Sequence, residues 1–270
     1  MVEKICFIGA GSMAESIIAG VINKQFLSSS QIVVTNKNNQ ERLTKLQNKY
    51  DIQKTIDKKF AVDGADMIIL ATKPHDIGDA IAQVKDFIQP TQLIISVVAG
   101  VATGYISDRL GSNVPVVRAM PNTSASIGLS ATAMTAGIYA QQEHMNLADS
   151  LFKNIGLTTT VAEKDMHAVT GISGSGPAYF YYLVEAMEKA AIQAGLDHTV
   201  ASDLITQTII GAGEMLKRSG DSASTLREKI TSPGGTTQAA IETLEASHFQ
   251  QMIMECVDRA RKRSIELGGK

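Results

Sequence analysis

The chain has 270 residues, 44% of them hydrophobic, and a formal net charge of −2 at pH 7. This length predicts one or two domains with a substantial hydrophobic core. The near-neutral charge gives no electrostatic footprint for nucleic acid or for an anionic membrane. A basic run at residues 259–263 falls at the end of a predicted helix, where it complements the helix dipole.

The two cysteines, Cys6 and Cys256, form no CxxC pair and show no metal-ligand spacing. Cys6 lies inside the first apolar stretch and is predicted to be a buried free thiol. So few cysteines fit a reducing compartment, although a disulfide between them stays open. The longest apolar run, residues 93–102, is far shorter than the roughly 20 residues that span a bilayer, and no signal-type segment precedes the first strand. We therefore expect a soluble, cytoplasmic protein.

Strands and helices alternate over the first 160 residues. Continuous apolar runs predict strands, and the periodic or polar stretches between them predict helices. The predicted strands cover residues 4–9, 31–35, 65–71, 93–98 and 114–120, and the first two predicted helices cover residues 12–23 and 40–50. Buried strands separated by helices are typical of a parallel sheet covered on both faces. We therefore predict an α/β domain, a Rossmann-type doubly wound sheet, over residues 1–162.

The pattern changes near residue 163, beyond which almost every segment has a helical pattern. Two predicted helices, over residues 177–194 and 200–216, are apolar on nearly all sides. A helix of this kind must be buried on every side, and the rest of the chain is short for enclosing two of them. We predict that residues 163–270 form an all-α dimerisation domain in which a second copy covers these helices. The alternative is that the first domain covers them.

A glycine-bearing loop, Gly9-x-Gly11-x-x-Ala14, joins the first predicted strand to the first predicted helix. The first glycine makes the tight turn, the second lets the backbone approach a pyrophosphate, and the third position needs only a small side chain. The pyrophosphate then meets the free N–H groups at the helix N-terminus. This strand–turn–helix setting predicts a dinucleotide site formed by Ile8, Gly9, Ala10, Gly11, Ser12, Met13 and Ala14.

The end of the second strand indicates which nucleotide binds. Folds that prefer NAD usually place Asp or Glu there to hold the ribose hydroxyls, whereas this chain has Asn36 and Lys37. Asn36 can hydrogen-bond a phosphate and Lys37 can neutralise it, so NADPH is predicted over NADH, which stays possible. The alternative is that Lys37 is an ordinary surface lysine. Later strand ends should line the same crevice and add Ala71, Thr72, Lys73, Pro74, Val98, Ala99, Gly100, Met120, Pro121 and Asn122.

A second glycine-bearing loop, residues 231–237 with the sequence TSPGGTT, precedes a helix predicted over residues 238–246. Free N–H groups at a helix start bind a carboxylate through hydrogen bonds and the helix dipole. Simple helix capping is the alternative, but paired glycines exceed what a cap needs. We predict a substrate site formed by Ser232, Gly234, Gly235, Thr236 and Thr237. The five histidines show no metal spacing, and no metal is predicted.

Five motifs stand in the order found in one enzyme family. They are GAGSMA at residues 9–14, ATKP at 71–74, MPNT at 120–123, SGSGPAY at 173–179 and SPGGTT at 232–237. From residue 3 to about residue 265 the chain resembles the Δ1-pyrroline-5-carboxylate reductases, with SPGGTT as the most specific motif and GxGxxA as the least. The resemblance implies reduction of Δ1-pyrroline-5-carboxylate to L-proline, the last step of proline biosynthesis, with NAD(P)H as cofactor.

The resemblance also implies an assembly. A homodimer would form through the helical domain, dimers would gather into a larger ring such as a decamer, and the substrate loop of one chain would serve the partner's cofactor. One departure is visible at Lys58, where many members have an Asn associated with the cofactor. That contact does not transfer to this chain, and Lys58 either meets the adenosine phosphate or has no role.

Hydride transfer to a cyclic imine needs placement and electrostatics rather than a nucleophile, because the nicotinamide carries the chemistry. Our hypothesis is that the N–H groups of residues 234–237 hold the substrate carboxylate. The Thr237 hydroxyl would bond the ring nitrogen and help to protonate it, which makes Thr237 the predicted catalytic residue, with Ser232 a weaker candidate. Two alternatives stay open: a related imine or β-hydroxyacid-type dehydrogenase, with Lys189 as its nearest candidate lysine, and a non-catalytic NADP-binding sensor.

Overall fold

The computed structural model of the protein describes residues 2–268, and an eight-stranded sheet lies at its centre in the order β3-β2-β1-β4-β5-β6-β7-β8. The strands are β1 (Ile5–Ile8), β2 (Ile32–Thr35), β3 (Gln53–Lys54), β4 (Met67–Leu70), β5 (Leu93–Ser96), β6 (Val116–Met120), β7 (Ser130–Ala136) and β8 (Gly156–Thr160). Neighbouring strands run parallel, except that β7 is antiparallel to β6. The predicted doubly wound sheet is confirmed.

Helices connect the strands and then make up the rest of the chain. They are α1 (Ser12–Asn23), α2 (Gln40–Tyr50), α3 (Lys58–Val62), α4 (Ile77–Ala82), α5 (Thr103–Leu110), α6 (Gln142–Phe152), α7 (Met166–Val169), α8 (Gly176–Gln193), α9 (His198–Arg218), α10 (Ala223–Lys229), α11 (Thr236–Ala246) and α12 (Phe249–Gly268). The all-helical C-terminal region is confirmed as well. Among the described residues, no helix is both long enough and apolar enough to cross a membrane.

Alternation along β1 shows how both faces of the sheet are covered. Ile5 and Phe7 join an apolar cluster with residues of α1, α2 and α6, whereas Cys6 and Ile8 join a second cluster with residues of α3, α4 and α5. Cys6 is a free and fully buried thiol, as predicted. Burial raises its pKa to about 12, so Cys6 packs as a small apolar side chain rather than as a reactive thiol.

Strands β3, β7 and β8 were not among the predicted strands. Strand β3 has only two residues, both polar, and β7 also breaks the parallel pattern. Strand β7 alternates Ser, Thr and Ala with a single Met, and β8 is a largely exposed edge strand, so neither carries a continuous apolar run. The connection from β6 to β7 holds only a short 3₁₀ turn, Thr123–Ile127. A parallel crossover needs a dozen or more residues, so a connection this short returns the chain antiparallel.

The chain forms two compact units. One contains the sheet, up to Ser175, together with the chain from Asp258 onward, and the other is Gly176–Val257. Within the first unit, the end of α12 packs closely on Gly100, where a Cβ atom would lie 2.5 Å from the Ser264 carbonyl oxygen. The predicted boundary between residues 162 and 163 precedes this division and stays a prediction.

The helices of the second unit present many apolar side chains to solvent. Only Gly176 is buried in α8, and only Ala201 and Ile205 are buried in α9. Tyr182 is 76% exposed and Leu204 is 56% exposed. Exposed apolar surface of this extent marks an interaction face.

Candidate active site

A cleft of about 650 Å³ opens where β1, β2 and β4 end. Ligands bind at the carboxyl ends of the strands in doubly wound sheets. The cleft is lined by the following predicted cofactor residues: Ile8, Gly9, Ala10, Gly11, Ser12, Met13, Asn36, Lys37, Ala71, Thr72 and Lys73. Tertiary structure therefore gathers the loop after β1, the loop after β2 and the end of β4 into one concave surface.

The two glycines of the first loop have different roles. Gly9 has a φ of +114°, and a Cβ atom there would lie 2.3 Å from the Ala71 carbonyl oxygen, so only glycine fits between the two strand ends. Gly11 is the N-cap of α1, and a Cβ atom there would meet nothing within 4 Å. The space above Gly11 is thus open to a ligand, while the fully buried Ala14 packs behind the loop.

The loop after β2 is held by its own side chains. Asn36 Oδ1 accepts a hydrogen bond from Asn39 N at 3.1 Å, and Asn36 Nδ2 donates to Asn39 O at 2.8 Å. Lys37 Nζ pairs with Asp79 Oδ2 of α4 at 3.1 Å, and both side chains are more than half exposed. Asn36 therefore shapes the loop with its amide, and Lys37 shares its charge with a carboxylate that the sequence analysis did not single out.

Lys58, at the start of α3, also lines the cleft. Its ammonium donates hydrogen bonds to Thr35 Oγ1 at 2.8 Å and to the Asn36 carbonyl oxygen at 2.6 Å. Burial lowers the pKa of Lys58 from its ordinary value. Both acceptors are neutral oxygens at the end of β2. Lys58 therefore holds the position at which the loop after β2 begins.

The remaining predicted cofactor residues do not line this cleft, and their cofactor role stays a prediction. They are Ala14, Pro74, Val98, Ala99, Gly100, Met120, Pro121 and Asn122. Asn122 has an evident local role, since its side chain accepts from Ser124 N and donates to the Ser173 carbonyl oxygen at 3.1 Å.

Several residues of the cleft were not predicted from the sequence. They are Asn38, Asn39, Asp76, Asp79, Ala80 and Gln83. Most of them lie in the loop after β2 and on the helical segment that begins at Pro74. Pro74 could have predicted them, because proline favours the first position of a helix. A helix that starts there directly follows the end of β4, which lines the cleft.

The cleft residues fit a dinucleotide. Thr72 Oγ1 is buried and has no hydrogen-bond partner within residues 2–268. No side chain caps the start of α1, whose first N–H groups have no intrahelical acceptor. Together with the open space above Gly11, these groups offer hydrogen bonds and the positive end of a helix dipole to an anionic ligand.

The second glycine-bearing loop leads into α11, whose N-cap is Gly235. Gly234, at a φ of +71°, donates its N–H to Gln238 Oε1 at 2.8 Å, and Gly235 N donates to the Ser232 carbonyl oxygen at 3.0 Å. Two of the four donors expected for the substrate carboxylate are therefore engaged within the loop. The N–H groups of Thr236 and Thr237, in the first turn, have no intrahelical acceptor.

The described part of the chain contains no group of three or more His, Cys, Asp or Glu side chains that could hold a metal ion. Lys189, the lysine considered for an alternative dehydrogenase, lies on an exposed position of α8.

The fold and the cleft define a dinucleotide-binding protein of the Rossmann class. Residues 4–100 match the family "NADP oxidoreductase coenzyme F420-dependent", and residues 163–267 match the family "Pyrroline-5-carboxylate reductase dimerisation". Pyrroline-5-carboxylate reductase 1 of Bacillus subtilis (strain 168) is 43% identical over 265 residues, which cover 98% of this chain and 89% of that relative. The chain belongs to the pyrroline-5-carboxylate reductase family.

Two solved structures are similar over almost the whole chain. A pyrroline-5-carboxylate reductase from Coxiella burnetii has a TM-score of 0.88 and 36% identity, covering 99% of both chains. A pyrroline carboxylate reductase from Plasmodium falciparum with NADP bound has a TM-score of 0.90 and 27% identity, covering 99% of this chain and 100% of that one. The family resemblance expected from the motifs is confirmed.

Proposed function

We propose that this protein reduces Δ1-pyrroline-5-carboxylate to L-proline, the final step of proline biosynthesis, with NADPH as the preferred cofactor. The observation that carries the proposal is the cleft at the ends of β1, β2 and β4, with its open glycine and uncapped helix start, in a chain that is 43% identical to a pyrroline-5-carboxylate reductase. When bound, NADPH supplies the hydride that reduces the imine carbon.

The chain's own residues place the reactants. The loop after β1 and the start of α1 would hold the pyrophosphate, and Thr72 would give its unpartnered hydroxyl to the nucleotide. The N–H groups of Thr236 and Thr237 would hold the substrate carboxylate, and the Thr237 hydroxyl would donate a hydrogen bond to the ring nitrogen, which gains a proton as the carbon gains the hydride. Aligning donor and acceptor in this way can supply on the order of 7–11 kcal/mol at best.

The preference for NADPH rests on the end of β2. No carboxylate stands at Asn36 or Lys37, where one would hold the ribose hydroxyls of NAD and repel a 2′-phosphate. Lys37 brings a positive charge to the cleft lining, although Asp79 shares it. We therefore expect a higher affinity for NADPH than for NADH, with NADH still accepted.

We infer that the working protein is a homodimer built through its helical region. The exposed apolar side chains of α8 and α9 support this, as does the match of residues 163–267 to a dimerisation family. A larger ring of dimers, a substrate loop that serves the partner's cofactor and a cytoplasmic location stay predictions.

Purified protein tests the reaction directly. The absorbance of NADPH is followed with Δ1-pyrroline-5-carboxylate, and the assay is repeated with NADH in place of NADPH. Oxidation of 3-hydroxy acids is followed with NADP⁺. We expect turnover with the cyclic imine and a higher kcat/KM with NADPH. Turnover of a 3-hydroxy acid alone would show a β-hydroxyacid-type dehydrogenase. Tight NADPH binding without turnover of any imine would show a sensor.

A further inference from the structure

The loop after β1, which lines the cleft, accepts a hydrogen bond from an arginine on α2. We propose that Arg42 is a positioning residue for the cofactor, fixing the direction in which the peptide between Ala10 and Gly11 points. The inference rests on the proposed use of a dinucleotide by the loop after β1. It adds a residue that lies outside the glycine motif and far from it in sequence.

Arg42 contacts the loop and the helix that follows it. Its Nε donates a hydrogen bond to the Ala10 carbonyl oxygen at 2.7 Å, and its Nη2 forms an ion pair with Glu15 Oε2 in the first turn of α1. Ala10 stands between Gly9 and Gly11. One guanidinium therefore joins α2 to the turn and to α1 at once, in the fork geometry that arginine provides.

The hydrogen bond to Ala10 decides where the next N–H points. The carbonyl of Ala10 and the N–H of Gly11 belong to one planar trans peptide, so they point in opposite directions. With the carbonyl held by Arg42, the Gly11 N–H is directed away from Arg42. Rotation of this peptide would replace a donor by a carbonyl oxygen, and Gly11, on its C-terminal side, would permit that rotation at little steric cost.

The ion pair with Glu15 holds the guanidinium in place. Glu15 also accepts hydrogen bonds from Lys49 Nζ at 2.8 Å and from the Tyr50 hydroxyl at 3.1 Å. The pKa of Glu15 is lowered to about 2, mainly by the bond from Lys49 and further by Arg42 and Tyr50, against desolvation, which raises it. Glu15 is thus a carboxylate throughout the working pH range. Arg42 and Glu15 expose only 23% and 21% of their side chains.

A direct contact between Arg42 and the 2′-phosphate of NADPH is the competing explanation, since Arg42 lines a smaller hollow beside Asn36 and Ser12. The two explanations differ in a measurable way. NADPH and NADH share the pyrophosphate that the loop binds, but only NADPH carries a 2′-phosphate. A positioning residue affects both nucleotides equally, whereas a 2′-phosphate contact affects NADPH alone.

The test measures the Kd of NADPH and of NADH for the full-length protein and its variants from nucleotide fluorescence, which is convenient because the chain has no tryptophan. For Arg42→Ala we expect both Kd values to rise about 10- to 100-fold, the range for losing a hydrogen bond to a charged group. Arg42→Lys keeps a charged donor but loses the fork, so we expect a smaller rise, again equal for both. If Arg42→Ala does not fold, the Kd values of Arg42→Lys decide between the two explanations.

Lys49→Ala is the matched control. It removes another cation bound to Glu15, leaves the Arg42–Ala10 bond in place and should leave both Kd values unchanged. The assignment is overturned by unchanged Kd values in folded Arg42 variants, by a loss confined to NADPH, or by an equal loss in Lys49→Ala. In the imine assay, the KM of the nucleotide should rise in Arg42→Ala with kcat and the KM of the imine unchanged. A wild-type protein that binds both nucleotides but reduces no imine would refute the proposed reaction, while the Kd comparison would still judge Arg42.

Discussion

Thr237 is the side chain on which the proposed chemistry depends most. It lies in the first turn of α11 and is half-buried, one residue beyond Thr236 and two beyond the N-cap Gly235. At this position a hydroxyl and a free N–H stand side by side at the positive end of a helix dipole. A ligand carboxylate and an adjacent ring nitrogen could therefore be held by one residue.

We predict that Thr237→Ala lowers kcat/KM for the imine about 10- to 1000-fold, the loss typical of removing one positioned donor. The KM of NADPH should stay unchanged, because the substitution leaves the cofactor cleft intact. Steady-state kinetics with varied imine and varied NADPH measure both. Thr243→Ala is the control, since that hydroxyl donates to the Ala239 carbonyl oxygen on the same helix. Full activity in Thr237→Ala would refute the catalytic assignment.

Gln238 reduces the number of N–H groups that the second glycine-bearing loop can offer to an anion. The paired glycines predicted four N–H groups for an anion, but Gln238 Oε1 accepts the N–H of Gly234. Gln238 Nε2 in turn donates to Glu242 Oε1 at 2.7 Å. The sequence pattern predicted the number of donors, whereas a side chain in the first turn of α11 decided which of them stay available.

An ion pair joins the buried Arg118 of strand β6 to the partly exposed Glu163, in the segment that leads into the helical region. Arg118 is 1% exposed, and its Nη1 bonds Glu163 Oε1 at 2.6 Å. Glu163 also accepts from Thr103 Oγ1 at 2.8 Å, whereas Arg118 Nη2 has no partner within the described residues. The charge of the buried Arg118 guanidinium is therefore balanced by the Glu163 carboxylate.

We predict that Glu163→Ala lowers the apparent free energy of unfolding by about 3 kcal/mol, because it leaves a buried charge unpaired. Urea unfolding at one fixed protein concentration measures this, since an oligomer's stability depends on concentration. Lys153→Ala, which removes the 66% exposed cation of an ion pair at the end of α6, should change it by less than about 0.5 kcal/mol. Equal effects of the two substitutions would contradict the argument.

At the scale of the whole molecule, the helical region has more apolar surface than a lone chain can keep in water. Phe180, Tyr182 and Leu204 are each more than half exposed. Association with a second copy would bury such side chains, and each fully buried one would contribute roughly 1.5–3 kcal/mol. This is the physical reason for expecting a dimer.

We predict that Tyr182→Glu prevents dimerisation, because a carboxylate on α8 would have to be buried among apolar side chains in the dimer. Light scattering after size-exclusion chromatography should show the single-chain mass of 28.8 kDa for the variant and a multiple of it for the wild type. Lys45→Glu, at an exposed position of α2, introduces the same charge elsewhere and should leave the mass unchanged. A Tyr182→Glu protein with the wild-type mass would remove Tyr182 from the interface.

The sequence by itself determined the strands with continuous apolar runs, the helix boundaries of α1 and α2, the glycine-bearing loops and the family. These features are local, because periodicity and turn chemistry are set within a few residues. It did not reveal β3, β7 and β8, whose side chains are mostly small or polar. Only the tertiary structure decided that Arg42 holds Ala10, that Lys37 meets Asp79 and that Gly100 receives α12. Those contacts join residues far apart in the chain, and their geometry depends on the packing of the whole unit.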